Sequence, residues 1–146
     1  MIKIYASSVI GTAAENVWAR IRDFNGLPDW HPSIVDSRIE DGQQSDRVGC
    51  IRHFHTSDGS LIRERLLGLS DYDYSCTYEI LESPMGVSNY VATIKLTPVT
   101  DGNRCFVEWS AEFDCALERE RELSRSIGDG VFQAGMDALK KHFGHR

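Results

Sequence analysis

From Glu118 to about Phe143 the apolar residues recur at helical spacing. Leu123, Ile127, Val131, Ala134, Gly135, Ala138, Leu139 and Phe143 fall on one stripe, while Arg121, Arg125, Asp129, Asp137, Lys140 and Lys141 fall elsewhere. This pattern predicts a one-faced α-helix roughly 35–40 Å long, whose stripe needs a partner surface of similar length. Residues 34 to 114 supply that surface, because they read almost without interruption as strands. Gly128, Gly130 and Gly135 each cost about 0.8–1 kcal/mol relative to Ala inside a helix. Either side chains are absent there to leave room for a ligand, or the helix breaks near Ser126 to Gly130 and becomes two.

Ahead of the strands, residues 2 to 10 alternate Ile2, Ile4, Ala6 and Ser8 against Lys3, Tyr5, Ser7 and Val9, an edge or half-buried strand. Thr12-Ala13-Ala14-Glu15 has the form of a capping box. It opens a helix with Val17, Trp18, Ile21 and Phe24 on one face, which Asn25-Gly26 would stop with a left-handed residue. Leu27-Pro28-Asp29-Trp30-His31-Pro32 is a second short helix or a structured loop. Period-two runs follow at Ile34 to Glu40, Arg47 to Thr56, Leu61 to Asp71, Tyr74 to Glu82, Ser88 to Val99 and Cys105 to Cys115. Hairpins with helices at both ends point to one α+β domain, residues 1–146, built on an antiparallel sheet.

The alternation also assigns faces. Val107, Trp109, Ala111 and Phe113 point inward, as do Tyr90, Ala92, Ile94 and Leu96, and Tyr74, Cys76, Tyr78 and Ile80. Interior tyrosines suit a wet cavity or internal hydrogen bonds. Between 61 and 69 two sets compete. The set with Ile62, Glu64, Leu66 and Gly68 inward places a carboxylate inside, and the same logic turns Arg52 and Phe54 inward and His53 and His55 outward.

Composition narrows the function. Sixteen Lys and Arg against 22 Asp and Glu give a net charge of −6 with no basic run, which disfavours nucleic acid as a partner. No window reaches the roughly 18 apolar residues of a membrane span, and the N-terminal stretch lacks a charged leader. The expectation is a cytoplasmic chain, monomer or weak homodimer, without stable membrane association. Cys50, Cys76, Cys105 and Cys115 lie far apart and read as reduced thiols, not as a zinc site. His53-x-His55 offers two imidazoles without further ligands, a poor metal site.

The run Asp23 to Pro32, then Arg47-Val48-Gly49-Cys50-Ile51-Arg52, Glu64-Arg65-Leu66, Ser88-Asn89-Tyr90 and the closing amphipathic helix resemble the helix-grip, or SRPBCC/START-like, superfamily. Within it the chain resembles the bacterial polyketide cyclase/dehydrase-like proteins, over essentially its whole length. The resemblance implies a curved seven-stranded antiparallel sheet gripping the C-terminal helix, two short helices after the first strand, and an apolar cavity between sheet and helix. Plant abscisic-acid receptors of the same group are similar at Val48-Gly49-Cys50, Arg52, Glu64-Arg65-Leu66 and Asn89-Tyr90. That likeness implies cavity positions for Arg52, Glu64, Tyr78, Tyr90 and Trp109, and puts His31 where the receptors carry a carboxylate-binding lysine. Their gate loop, Ser-Gly-Leu-Pro-Ala, is replaced here by Ser57-Asp58-Gly59-Ser60.

The expected ligand-binding set is Trp30, His31, Arg52, Phe54, Glu64, Tyr78, Tyr90, Ala92, Trp109, Val131 and Gly135, holding a small hydrophobic or amphipathic molecule without a metal or redox cofactor. The alternative is a polyketide cyclase/aromatase or dehydratase, with Glu64 or His31 as base and Arg52, Tyr78 or Tyr90 as donors. A third is a partner-binding module using the sheet or the pocket rim. Arg52 and Glu64 could equally be an internal ion pair. The tyrosines could be packed core with satisfied hydroxyls, and His31 a turn residue.

Overall fold

A computed structural model describes residues 1–144. Strand β1 (Ile2–Ile10) leads to helix α1 (Ala14–Ile21), a tight 3-10 turn (Phe24–Gly26), the single-turn helix α2 (Leu27–Trp30) and strand β2 (Ile34–Ile39). Strands β3 (Ile51–Thr56), β4 (Leu61–Ser70), β5 (Ser75–Glu82), β6 (Ser88–Val99) and β7 (Arg104–Asp114) follow. The chain closes with α3 (Glu120–Ile127), a π-helical turn (Gly128–Gln133) and α4 (Ala134–Phe143).

All neighbouring strands are antiparallel in one seven-stranded sheet, ordered β1-β7-β6-β5-β4-β3-β2. The last strand therefore returns to the first, and the C-terminal helix follows β7, one strand in from the β1 edge, and lies across the sheet. One face of each strand forms the core with that helix. Cys105, Val107, Trp109, Ala111 and Phe113 of β7 are buried, as are Tyr90, Ala92, Ile94 and Leu96 of β6. In β4 the buried set is Ile62, Glu64 and Leu66, and Leu123, Ile127, Phe132, Met136 and Leu139 meet them from the helix. This is the α+β helix-grip arrangement.

Several local expectations need correction. Thr12 does not cap α1; Ala13 occupies the cap position without a side-chain bond, and the Thr12 hydroxyl accepts from Asn16 Nδ2 at 3.0 Å. Helix α1 ends at Ile21, so Phe24 belongs to the separate turn, where Asp23 accepts the Asn25 N–H at 3.0 Å. Gly26 has φ −89° and is not left-handed. The third strand begins at Ile51 rather than Arg47, because Gly49 at φ +98° breaks the extended run. Tyr74 precedes β5 with φ +53° and lies against Trp18, with ring centroids 5.8 Å apart, so it is not part of the cavity.

The C-terminal helix does not divide at its glycines. It widens. Across Gly128–Gln133 the backbone stays helical while the Ala134 N–H reaches back to the Asp129 carbonyl, an i→i+5 bond. Gly135 has a different reason from ligand room. A Cβ built there would lie 2.9 Å from His31 Cδ2, 2.9 Å from Trp109 Cζ3 and 3.2 Å from Trp30 Cζ3, so the missing side chain makes room for the protein's own aromatics.

Candidate functional site

A hollow of about 80 Å³ lies between the sheet and the C-terminal helix. Leu27, Phe54, Ile62, Ile80, Met85 and Ile127 give it apolar walls, and Arg52, Glu64, Tyr78, Tyr90 and Trp109 supply its polar or amphipathic surface.

Arg52 and Glu64 face each other across β3 and β4, where period-two alternation turns both inward. Glu64 Oε1 accepts from Arg52 Nε at 2.9 Å and from Arg52 Nη2 at 2.6 Å, and Arg52 Nη1 donates to the Phe24 carbonyl at 3.0 Å. Each side chain is only 7% exposed. The guanidinium carbon sits 3.9 Å from the Phe24 ring centroid and 4.8 Å from that of Tyr78, a cation–π placement that offsets part of the desolvation cost. Burial raises the Glu64 carboxyl above its ordinary range, against the downward pull of Arg52.

Both Arg52 bonds fall on Oε1. Glu64 Oε2 and Tyr90 Oη have no hydrogen bond to a described group, yet Arg20 Nε is the one fully enclosed side-chain nitrogen or oxygen without a partner among the described residues. Those two oxygens therefore touch open space, and both residues line the hollow. Tyr78 Oη accepts from Trp109 Nε1 at 3.1 Å, leaving its own proton to donate. Burial, the Tyr78 hydroxyl and Glu64 together raise the Tyr90 phenol well above its usual value, which keeps it a neutral O–H.

The inward turn of Tyr90 has a local cause. Asn89 adopts φ +53° and its Nδ2 donates to Asp114 Oδ2 at 2.9 Å. The pairing of β6 with β7 shifts between Ser88 and Val91, a bulge that re-aims the next side chain toward the core.

His31 is buried at 2% exposure. Its Nδ1 accepts the Ser33 N–H at 3.1 Å, so Nε2 carries the proton and donates to the Val131 carbonyl at 2.8 Å. Burial lowers its pKa from 6.5. Both nitrogens are committed and the ring is neutral, so His31 is neither the general base nor a lysine-like cation. It ties the segment after α2 to the widened turn of the C-terminal helix. Arg52 is largely committed as well: three of its five N–H groups donate to Glu64 Oε1 and the Phe24 carbonyl, which leaves one N–H on each Nη.

Eight of the eleven expected residues lie around the hollow: His31, Arg52, Phe54, Glu64, Tyr78, Tyr90, Trp109 and Val131. Trp30, Ala92 and Gly135 do not. The Trp30 ring packs on Trp109, with centroids 5.8 Å apart, above the bare Gly135 backbone. Ala92, opposite Tyr78 and Ala111, is buried but too short to reach the space. Met85, Thr56, Ser33 and Ile34 complete the wall. They sit at strand ends and turns, where alternation carries no signal.

The exposed face of β3 carries His53 and His55, as expected. His55 Nδ1 lies 2.9 Å from Asp36 Oδ1 and His53 Nδ1 3.5 Å from Glu40 Oε2. Among the described residues no group of three or more His, Cys, Asp or Glu could hold a metal.

A family model described as polyketide cyclase/dehydrase and lipid transport matches residues 1–144. The chain belongs to that family. Its fold is shared with the protein XoxI from Bacillus cereus, at 34% identity over 98% of this chain and 96% of that one, with a TM-score of 0.86. A Thermobifida fusca protein covers 100% of this chain and 99% of its own at 29% identity and a TM-score of 0.89. Norcoclaurine synthase from Thalictrum flavum, solved with dopamine and hydroxybenzaldehyde, is similar at 21% identity over 97% of this chain and 85% of that one, with a TM-score of 0.75. That last likeness is one of fold. No described helix of the chain is long and apolar enough to cross a membrane.

Proposed function

We propose that the chain binds a small, largely apolar molecule in the hollow between the sheet and the C-terminal helix. The observation that carries this reading is a polar end in an otherwise apolar space: Glu64 Oε2 has no hydrogen-bond partner among the described residues, and Glu64 lines the hollow. A buried carboxylate oxygen needs a donor, from water or from a ligand.

At about 80 Å³ the hollow is roughly half the size of an apolar cavity that admits benzene. Drug-sized ligands need about 300–1,000 Å³. Larger occupants must therefore displace part of the wall. Met85 is the part best placed to move, because it sits in the β5–β6 turn, which Arg119 holds through a hydrogen bond from Nη1 to the Met85 carbonyl.

The same oxygen supports a second reading, cyclisation or dehydration of a keto compound. A carboxyl raised by burial is a better proton acceptor than an ordinary one, and the Tyr78 and Tyr90 hydroxyls could donate to a developing enolate. Native mass spectrometry of the freshly purified chain tests the binding reading. A bound small molecule that is released on unfolding supports it, and a bare chain that also takes up no added apolar probe refutes it. For the second reading, a poly-keto substrate should be turned over by the native chain, and Glu64→Gln should lower kcat far more than it weakens binding.

A further inference from the structure

We propose that the polar end of the hollow recognises an uncharged hydroxyl group on its ligand, an alcohol or a phenol, and excludes carboxylates. This rests on the binding reading above and specifies the ligand's chemistry.

The groups around the open space differ in what they offer. The two bonds from Arg52 to Oε1 favour the ionised carboxyl against the upward push of burial, and in that form Glu64 Oε2 only accepts. Tyr90 Oη has no partner among the described residues and can donate or accept, and Tyr78 Oη accepts from Trp109 Nε1 and keeps a proton to give. An acceptor beside neutral O–H donors matches a group that both donates and accepts. A hydroxyl does this with one atom, giving its proton to Glu64 Oε2 and accepting from a tyrosine.

Other head groups fit less well. A ligand carboxylate would meet the Glu64 carboxylate at contact distance in a space shielded from water, where like charges repel strongly. Arg52 offsets this little, since its charge is already neutralised by Glu64 and three of its five N–H groups are taken by Glu64 Oε1 and the Phe24 carbonyl. An ammonium would gain from Glu64 but lie beside the buried guanidinium, which is neutralised by that same carboxylate. A hydrocarbon would leave Oε2 and the Tyr90 hydroxyl without partners once water was displaced, and buried polar groups without partners are costly. The His31 ring adds no charge at the other wall, because it is neutral and tied to Ser33 and Val131.

Three small probes of similar shape separate these cases: p-cresol, p-xylene and benzoate, titrated against the full chain with dissociation constants read by NMR. p-Cresol should bind about tenfold more tightly than p-xylene and at least about tenfold more tightly than benzoate. Tyr90→Phe removes a hydroxyl that has no described protein partner, so the fold should tolerate it. It should weaken p-cresol about three- to tenfold and leave p-xylene unchanged. Glu64→Gln, provided its spectrum stays native, should bring benzoate to within about threefold of p-cresol. Benzoate binding as tightly as p-cresol to the native chain, or p-cresol matching p-xylene, overturns the proposal while leaving cavity binding intact. Failure of all three probes to shift resonances of the lining residues overturns both.

Discussion

Replacing Gly135 by alanine distinguishes a glycine kept for packing from one kept for a ligand. The new Cβ would sit 2.9 Å from both His31 Cδ2 and Trp109 Cζ3 and 3.2 Å from Trp30 Cζ3. Those atoms belong to rings that are 2%, 3% and 9% exposed and cannot swing into solvent. Overpacking of this kind costs about 1–3 kcal/mol, against a gain of about 0.8–1 kcal/mol from alanine's helix preference. A net loss of roughly 0–2 kcal/mol follows. Gly130, five residues earlier in the same helical run, has nothing within 4 Å of its virtual Cβ. Gly130→Ala should therefore keep most of the helix gain. The preference is nearly common to both changes, so the difference between the two variants isolates the packing cost at about 1–3 kcal/mol. Urea unfolding measures it as a shift in midpoint at constant slope, and for a chain of this size each kcal/mol moves the melting temperature by about 2–4 °C. A Gly135→Ala chain as stable as Gly130→Ala would refute the close aromatic packing, and with it the position given to His31.

Three further outcomes are expected. Glu64→Ala strands the Arg52 charge in the core and should cost about 3–5 kcal/mol, whereas the double change Arg52→Met, Glu64→Leu should cost much less; a double-mutant cycle by chemical denaturation decides it. Because the folded pKa of His31 lies below its unfolded value of 6.5, the folded chain binds fewer protons there, so stability is full above about pH 6.5 and falls as pH drops through the lowered folded value. His31→Gln should flatten that part of the stability–pH curve, and an unchanged slope would show that another group titrates. Removing the Arg119 side chain frees the Met85 carbonyl; Arg119→Ala should raise amide exchange in residues 83–87 and speed probe entry, with little change in global stability. Exchange there equal to that of the native chain would mean that Arg119 does not hold the turn.

Much of the fold follows from periodicity that survives in single elements. Strict alternation in β7 and β6 sorts core from surface residue by residue, whereas in β4 two alternating sets compete and the structure buries the one with Ile62, Glu64 and Leu66. Once β3 and β4 are neighbours, the Arg52–Glu64 pair is nearly forced, because a buried charge requires a partner. Other features depend on contacts between segments remote in sequence. The bond from His31 to Val131 spans a hundred residues, and nothing in Trp30-His31-Pro32 signals which carbonyl it meets. The glycines stand out in the sequence, but their environments differ: Gly135 is under aromatic rings and Gly130 is open. The widened turn between them has no periodic mark, since its apolar positions fit an α-helix equally well. Thr12 shows the limit of short motifs, having the right spacing for a cap and a different partner.

The most direct test places a small molecule against the residues that form the hollow. Methyl NMR with labelled isoleucine and methionine, titrated with p-cresol, should shift Ile62, Ile80, Met85 and Ile127 together along one saturable 1:1 curve. Ile10 and Met136, fully buried but away from the hollow, should stay still. Shifts scattered over surface residues, or equal movement of Ile10 and Met136, would contradict a binding site between the sheet and the C-terminal helix.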